Sequence, residues 1–181
     1  MPFNKKDFEQ RLEDSGIIPI VGEINSNTAS RIIFKLLAFS TIDEKREIQL
    51  YFSSTGGSYL DVMAIYDTLS AIKNPVVGVC VGCVSGYATL LLAKCSKGKR
   101  FSLSHGEISI SQPYAFLAPG SNQQTEIAIE AREALLKRQT FENELSACTG
   151  TSIEKIHLDC ENGLTLSAEQ AKAYGIIDEI L

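Results

Sequence analysis

Short runs of β-type residues alternate with helix-forming stretches along most of the chain, and this alternation is the feature that most restricts its fold. The β-type runs are IIPIV within 17–22, IQLYF at 48–52, PVVGVCV at 75–81 and ISIS at 108–111. Runs of this kind separated by helices are typical of layered α/β domains. The sequence therefore predicts an α/β fold.

Five helices are predicted around these strands. Apolar residues at helical spacing, or charged residues with a thin apolar stripe, mark three long ones at 28–39, 59–72 and 125–148. Two shorter helices are predicted from capping-box patterns, in which a hydroxyl residue precedes a Glu or Gln by three positions. These patterns are Thr151 with Glu154, and Ser167 with Gln170 in a helix that ends at Gly175.

Composition indicates one soluble globular domain. The chain has 181 residues, of which 44% are hydrophobic and 22% charged, and one core commonly serves about 100 to 200 residues. A formal charge of −5 offers no basic surface to a phosphate backbone, so we expect no nucleic-acid partner. No apolar run approaches the roughly 20 residues of a membrane span, so we expect no membrane association.

The amino-terminal residues and the cysteines bear on the compartment. Residues 1–16 are too polar and acidic for a signal or transit peptide. We therefore expect a cytoplasmic protein, or one of a plastid-type stroma if a targeting segment has been removed. An odd number of cysteines, five, fits a reducing compartment better than a disulfide framework.

Cysteines and histidines offer few candidates for chemistry when they are taken singly. Cys80 and Cys83 have the spacing of a redox or zinc motif, but no second pair completes a ligand set, and we interpret them as structural. We predict no metal and no cofactor. The histidines, His105 in a turn and His157 in a helix, are interpreted as surface residues rather than catalytic bases.

Longer segments, taken in order, show a resemblance to a known family. They are STGGSYLDVMAIYDTLSAIK, then VGVCVGCVSGYATLLLAKCSKGKRFSLS, then SQP and LSAEQAKAYGIIDEIL. From about Ile17 onward the chain resembles the proteolytic subunit of the Clp protease. The resemblance implies a ClpP/crotonase-like superhelix of βαβ units, in a single domain over 1–181, with a protruding helical handle at about 112–150.

The resemblance also implies that the catalytic residues of the family are replaced. Counting from KGKRF places Gly86 where the family has its nucleophilic serine, within a motif similar to A-A-S-M-G. Ser111 stands before Gln-Pro, where the family has histidine, and Gly163 stands at the place of the acid. All three triad positions therefore lack the side chain that peptide cleavage requires.

The backbone part of the site is implied to remain. A glycine pair after a strand is often only a tight turn, but the resemblance places the oxyanion-hole N–H groups at Gly57 and Tyr87. Ser85 is one residue from the lost nucleophile and faces another direction in a helix-opening turn, so we do not expect it to substitute. We expect a peptide to dock at most, without cleavage.

Expected partners follow from the same resemblance. They are copies of this chain or an active ClpP paralogue in seven-membered rings, with an AAA+ Clp unfoldase as a further candidate. Three departures from the family pattern bear on these partners. Two concern the stacking of rings: residues 114–124 are bulky, and Glu161-Asn162 stands in place of an acidic-Arg pair that locks rings in the family. The third concerns the unfoldase, because Gln49 replaces a docking tyrosine, although Tyr51 is present.

We interpret the chain as a ClpR-like subunit without catalytic activity and with a structural or regulatory role. Two alternatives stay open at this point. One is an active Clp serine endopeptidase that uses a non-standard site, for which Ser85 is the candidate nucleophile. The other is a crotonase-like acyl-CoA enzyme, in which Gly57 and Tyr87 would again supply the oxyanion hole.

Overall fold

The computed structural model of the chain describes residues 5–111 and 124–181. Its helices are α1 (Lys5–Asp14), α2 (Ser26–Ile42), α3 (Tyr59–Ala71), α4 (Tyr87–Lys94), α5 (Gln124–Thr149), α6 (Ile153–Asn162) and α7 (Ala168–Tyr174). Its strands are β1 (Ile17–Ile24), β2 (Ile48–Gly57), β3 (Val76–Ser85), β4 (Arg100–Ser102), β5 (Glu107–Ile110), β6 (Leu164–Leu166) and β7 (Glu179–Ile180). No helix in these ranges is both long and apolar enough to cross a membrane.

The strands form one sheet that divides at β3. One path runs β1-β2-β3-β4-β7, while β5 also pairs with β3 and carries β6. The first half of β3 pairs with β4, and its last residues, Cys83 to Ser85, pair with β5. Every pairing is parallel except that of β5 with β6. The helices α2, α3 and α4 connect successive parallel strands, so the chain forms consecutive βαβ units.

The core lies between the sheet and the helices on one of its faces. Buried and less buried residues alternate along β2, because only one of its faces is covered. The first five residues of β3 are all buried, as expected for a central strand. Several large side chains from sheet and helices are fully buried together: Ile20, Leu50, Phe52, Leu36, Ile65 and Leu91.

A buried ion pair connects Arg100 of β4 to Asp178, the residue before β7. Arg100 is 4% exposed, and its Nε donates to Asp178 Oδ2 at 2.9 Å while Nη2 donates to Oδ1 at 2.5 Å. The remaining nitrogen, Nη1, donates to the backbone oxygens of Ala93, Cys148 and Gly175. Such complete pairing is required for a buried guanidinium, because an unpaired buried charge is very unfavourable.

The prediction of an α/β fold is confirmed. All four β-type runs are strands, and each of the three long helices lies within two residues of its expected bounds or extends beyond them by a few residues. The capping box of Ser167 with Gln170 is present, and Gly175 ends that helix in the left-handed conformation.

One detail differs from expectation, and one segment lies outside the described residues. Helix α6 is capped by Ser152, whose side chain accepts from the Lys155 N–H, whereas the Thr151 hydroxyl donates to Tyr174 O. Helix α6 therefore begins one residue later than the Thr151 pattern predicts. The bulky segment 114–124 lies outside the described residues except for its last position.

Candidate functional site

The end of β2 lies against the turn that joins β3 to α4. A Cβ added to Gly56 would stand 3.0 Å from Ser85 O and 3.3 Å from the Tyr87 nitrogen, so a side chain here would crowd the backbone of the turn. Gly56 also has a φ of 92°, which glycine adopts readily. The glycine pair is thus more than a loose turn, because it allows two backbone segments to come together.

Gly86 makes the turn into α4 possible. Its φ of 57° and ψ of −136° form a conformation that is nearly restricted to glycine. Tyr87 follows as the first residue of α4, where backbone N–H groups have no partner within the helix. The positive end of the helix therefore faces the glycine pair.

Gly57 is fixed in position by β1. A Cβ on Gly57 would stand only 1.9 Å from Ile24 O, and the next residue, Ser58, donates its N–H to the same oxygen at 3.0 Å. Gly56, the residue before Gly57, is the one whose Cβ would approach the Tyr87 nitrogen. The candidate oxyanion-hole residues Gly57 and Tyr87 therefore belong to the same close approach between the end of β2 and the start of α4.

Ser54 stabilises the glycine turn, and sequence reasoning missed it. This fully buried serine donates its hydroxyl to Gly22 O at 2.6 Å and accepts from the Gly56 N–H at 3.2 Å. It thereby connects β1 to the turn. No motif signals this role, because a serine in a strand ordinarily reads as a polar residue on the exposed face.

The three positions assigned to the lost triad lie at one end of neighbouring strands. Ser85 pairs with Ser109 in the parallel ladder of β3 and β5, and Gly86 is the next residue. The antiparallel ladder of β5 and β6 ends with Ile110 opposite Leu164, and Ser111 and Gly163 are the next residues on each strand. Since paired strands are about 4.8 Å apart, the structure brings these positions together.

Hydroxyl groups, rather than charged ones, occupy the strands beside these positions. The Ser109 and Thr165 hydroxyl oxygens are 3.0 Å apart, and Thr89 of α4 donates to Ser109 O at 2.9 Å. Ser85 makes no side-chain hydrogen bond to a histidine or carboxylate in the part of the chain that the structure describes. A hydroxyl without a base is a weak nucleophile at neutral pH.

Both histidines lie elsewhere. His105 is exposed and contacts the neighbouring Ser104 hydroxyl at 3.2 Å. His157 of α6 is exposed on one side, but its Nδ1 is 3.1 Å from the buried carboxylate of Glu142 on α5. Arg138 joins the same cluster through Nε to Glu142 at 2.7 Å and through Nη2 to Glu161 at 3.2 Å. His157 therefore connects two helices and does not face the glycine turn.

The cysteines show no sign of catalytic activation. Burial raises the pKa of Cys80 and of Cys148, and raises the pKa of Cys160 to about 12, so these thiols stay protonated. Cys80 is buried as interpreted, but Cys83 is exposed, because residues three apart on a strand point to opposite faces. Within 5–111 and 124–181, no group of three or more His, Cys, Asp or Glu could hold a metal ion.

An aromatic cluster lies behind the glycine turn. The Tyr87 ring meets the Tyr59 ring at a centroid distance of 5.3 Å and the Phe141 ring at 5.4 Å, with interplanar angles of 63° and 83°. Burial, with a smaller contribution from Tyr59, raises the pKa of the Tyr87 phenol well above its usual range. The side chain of Tyr87 therefore packs as an apolar group and supplies no acid or base.

A separate open cleft of about 420 Å³ lies on the face of the sheet opposite the core helices. Gln49 and Tyr51 of β2, Val79 of β3 and Phe101 of β4 line it, with Lys99 on its rim. The cleft is thus apolar at its centre and charged at its edge. Gln49 and Tyr51, the two residues that the sequence analysis related to docking, both belong to it.

At the glycine turn the described residues present backbone N–H groups and the Ser85 hydroxyl, and none of them supplies a histidine or carboxylate hydrogen-bonded to Ser85. Comparison with models of protein families matches residues 4–181 to one family, the Clp protease. The match covers all of the segments on which the resemblance rested, and it extends through α1 at the amino-terminal end.

Proposed function

The chain belongs to the Clp protease family, and we propose that it is a subunit that assembles with other Clp-type subunits but does not cleave peptides itself. The observation that carries the proposal is the set of residues at the assigned triad positions. Gly86 and Gly163 have no side chain, and Ser111 has a hydroxyl where proton transfer requires a base. With no nucleophile at Gly86, attack on a peptide carbonyl has no starting point.

The retained backbone supports docking rather than catalysis. Two N–H groups, of Gly57 and Tyr87, lie at a turn built by glycines, and such groups bind a carbonyl oxygen. Their contribution to catalysis depends on charge that develops during attack. Without attack they act as ordinary hydrogen-bond donors, so the proposed role of this site is to hold an extended peptide.

Exposed apolar residues support assembly with other subunits. The helices α2 and α3 pack against one another and expose Phe34, Ile42 and Leu60, each more than 70% accessible. Large apolar side chains exposed on two packed helices favour a protein partner. The proposed partners are copies of this chain or an active ClpP paralogue in seven-membered rings, within a cytoplasmic or plastid-type compartment.

The cleft at Gln49 and Tyr51 supports docking of an AAA+ Clp unfoldase as a further part of the proposal. It offers apolar contact from Val79 and Phe101, and the ion pair of Lys99 with Glu47, 2.5 Å long, lies at its edge. This combination suits an apolar side chain on a loop. The candidate docking tyrosine is replaced by Gln49, so we expect weaker binding than an all-aromatic rim would give.

Co-assembly tests the proposal most directly. The chain is purified alone and together with an active ClpP paralogue of the same organism, and particle size is measured by sedimentation velocity. We expect the chain to enter particles much larger than the 19.8 kDa monomer. Phe34→Glu is expected to prevent this, whereas Lys172→Glu, exposed on α7, should not. A protein that stays monomeric and ignores the paralogue would contradict the proposal.

Covalent labelling tests the absence of catalysis. A fluorophosphonate probe labels activated serines, and we expect no labelling of this chain. Labelling that disappears in Ser85→Ala would instead support an active peptidase with a non-standard site. The acyl-CoA enzyme considered from the sequence receives no support from the family match.

A further inference from the structure

Three aromatic rings connect the long helix α5 to the candidate docking site. Tyr59 begins α3 two residues after Gly57, Tyr87 begins α4 directly after Gly86, and Phe141 lies in α5. Tyr87 occupies the middle of this series and contacts both other rings edge to face. The residue whose N–H belongs to the docking site is therefore the residue whose ring is held by the other two.

The rings supply a restraint that the backbone does not. Gly86 precedes Tyr87, and Gly56 lies against the same turn; glycine is the residue with the greatest conformational freedom. Tyr87 is 9% exposed and Phe141 1% exposed, so both residues are enclosed by their neighbours. The direction of the Tyr87 N–H consequently depends on where Phe141 holds the ring.

Helix α5 is secured to the rest of the chain mainly through its second half. Phe141 and Leu145 are buried there, and Glu144 accepts a 2.5 Å hydrogen bond from Tyr66 of α3. In the preceding turns Leu135 and Leu136 are more than half exposed. A partner that binds this exposed part of α5 shifts the helix, and Phe141 is the buried aromatic residue nearest to that part.

We infer that Phe141 is a positioning residue for the docking site: through the Tyr59–Tyr87–Phe141 stack, the position of α5 determines whether the Tyr87 and Gly57 N–H groups converge. The inference rests on the proposed docking function. It assigns α5 a second role, in which contact with a partner along this helix changes peptide affinity at a turn on another element.

Ring-removing variants test this inference, with amide resonances as the first measurement. Phe141→Leu removes one ring contact and keeps apolar volume. Tyr59→Leu removes the other ring contact of Tyr87. Because Tyr59 is partly exposed, we expect this variant to fold even if Phe141→Leu does not. Leu145→Val shortens a buried residue of the same helix that belongs to no ring contact. We expect both ring variants to shift the Tyr87 and Gly57 amide resonances and to weaken the near-ultraviolet circular dichroism of tyrosine, and the control to change neither.

Peptide affinity is the second measurement. With a fluorescein-labelled casein fragment as the probe, we expect binding about three- to tenfold weaker in the ring variants, the range that one aromatic contact supports. Unchanged Tyr87 and Gly57 resonances in both ring variants would overturn the inference, as would shifted resonances with unchanged affinity. If the wild-type chain does not bind the probe, the proposed docking has failed, and the resonances alone decide the inference.

Discussion

The glycine turn and the Arg100 site show opposite uses of polar groups in one chain. Around Gly56, Gly57 and Gly86, the polar groups are backbone N–H groups and neutral hydroxyls. At Arg100, a fully enclosed guanidinium meets a carboxylate and three carbonyl oxygens. Among the described residues, charge therefore lies where it holds elements together, while the glycine turn carries neutral groups. This contrast is the one expected if the proposed non-cleaving role is correct.

Restoring charge to the glycine turn should have the largest effect and would remove the contrast. We expect the combined variant Gly86→Ser, Ser111→His, Gly163→Asp to hydrolyse a short peptide ester about 10²- to 10⁴-fold faster than the wild type, since that is the usual contribution of a positioned base. Aspartate tolerates the left-handed conformation of Gly163, where φ is 67°.

The matched control for this restoration is Gly86→Ala with the same two other changes. It carries the same added base and acid but has no hydroxyl at the nucleophile position. If the serine variant is no more active than the alanine variant, the assignment of Gly86, Ser111 and Gly163 to the triad positions is wrong.

Removing charge from the Arg100 site should have the next largest effect. Asp178→Ala leaves a guanidinium with 5% side-chain exposure without its counter-ion, and we expect the free energy of unfolding in urea to fall by about 3 kcal/mol or more. The exposed pair Lys73–Glu44 provides the control, since Glu44→Ala should cost less than about 1 kcal/mol. An equal fall in the free energy of unfolding for both variants would mean that the buried Arg100–Asp178 pair stabilises the fold no more than the exposed pair.

Acid should weaken the same site in a defined range of pH. Hydrogen bonds from Arg100 hold the pKa of Asp178 below its usual value in the folded protein. A carboxylate with a lowered folded-state pKa contributes stability above its unfolded pKa, about 3.9, and loses it as pH falls through the folded pKa. We therefore expect the urea concentration at the midpoint of unfolding to decrease as the pH is lowered below about 4. Asp178→Asn should flatten this decrease, and an unchanged slope would contradict the role of Asp178.

The smallest effect is expected from strain at the glycine turn alone. Gly86→Ala meets no atom closer than 3.5 Å, but it forces alanine to a φ of 57°, and we expect a loss of about 1 to 2 kcal/mol in urea unfolding. The neighbouring Ser85→Ala changes no backbone requirement and should cost less than about 0.5 kcal/mol. Similar losses in the free energy of unfolding for both variants would show that backbone conformation does not explain the glycine at position 86.

Local sequence patterns predicted most of the fold, and the exceptions have identifiable causes. Runs of β-type residues predicted β1, β2, β3 and β5 because each of these strands buries apolar side chains in the core. Helix α4 has no amphipathic pattern to detect, since its residues 87–93 are all buried. Strands β4 and β6 have only three residues each, and pairing rather than composition determines them.

The candidate site was accessible to sequence reasoning only through spacing relative to known motifs. That spacing identified positions that the structure does bring to one end of β3, β5 and β6. It gave no access to Ser54, whose partners are backbone atoms of another strand, or to the contact of His157 with Glu142. Both depend on tertiary packing between separate elements, for which a single sequence carries no signal.

The contacts of Arg100 also constrain when this fold is completed during synthesis. Its guanidinium reaches carbonyls near the carboxyl ends of α4, α5 and α7, so one cation serves three helix dipoles. Gly175 and Asp178 leave the ribosome 75 and 78 residues after Arg100. A nascent chain shorter than this cannot bury Arg100 together with its carboxylate partner. Translation past Asp178 is therefore a condition for completing this buried ion pair.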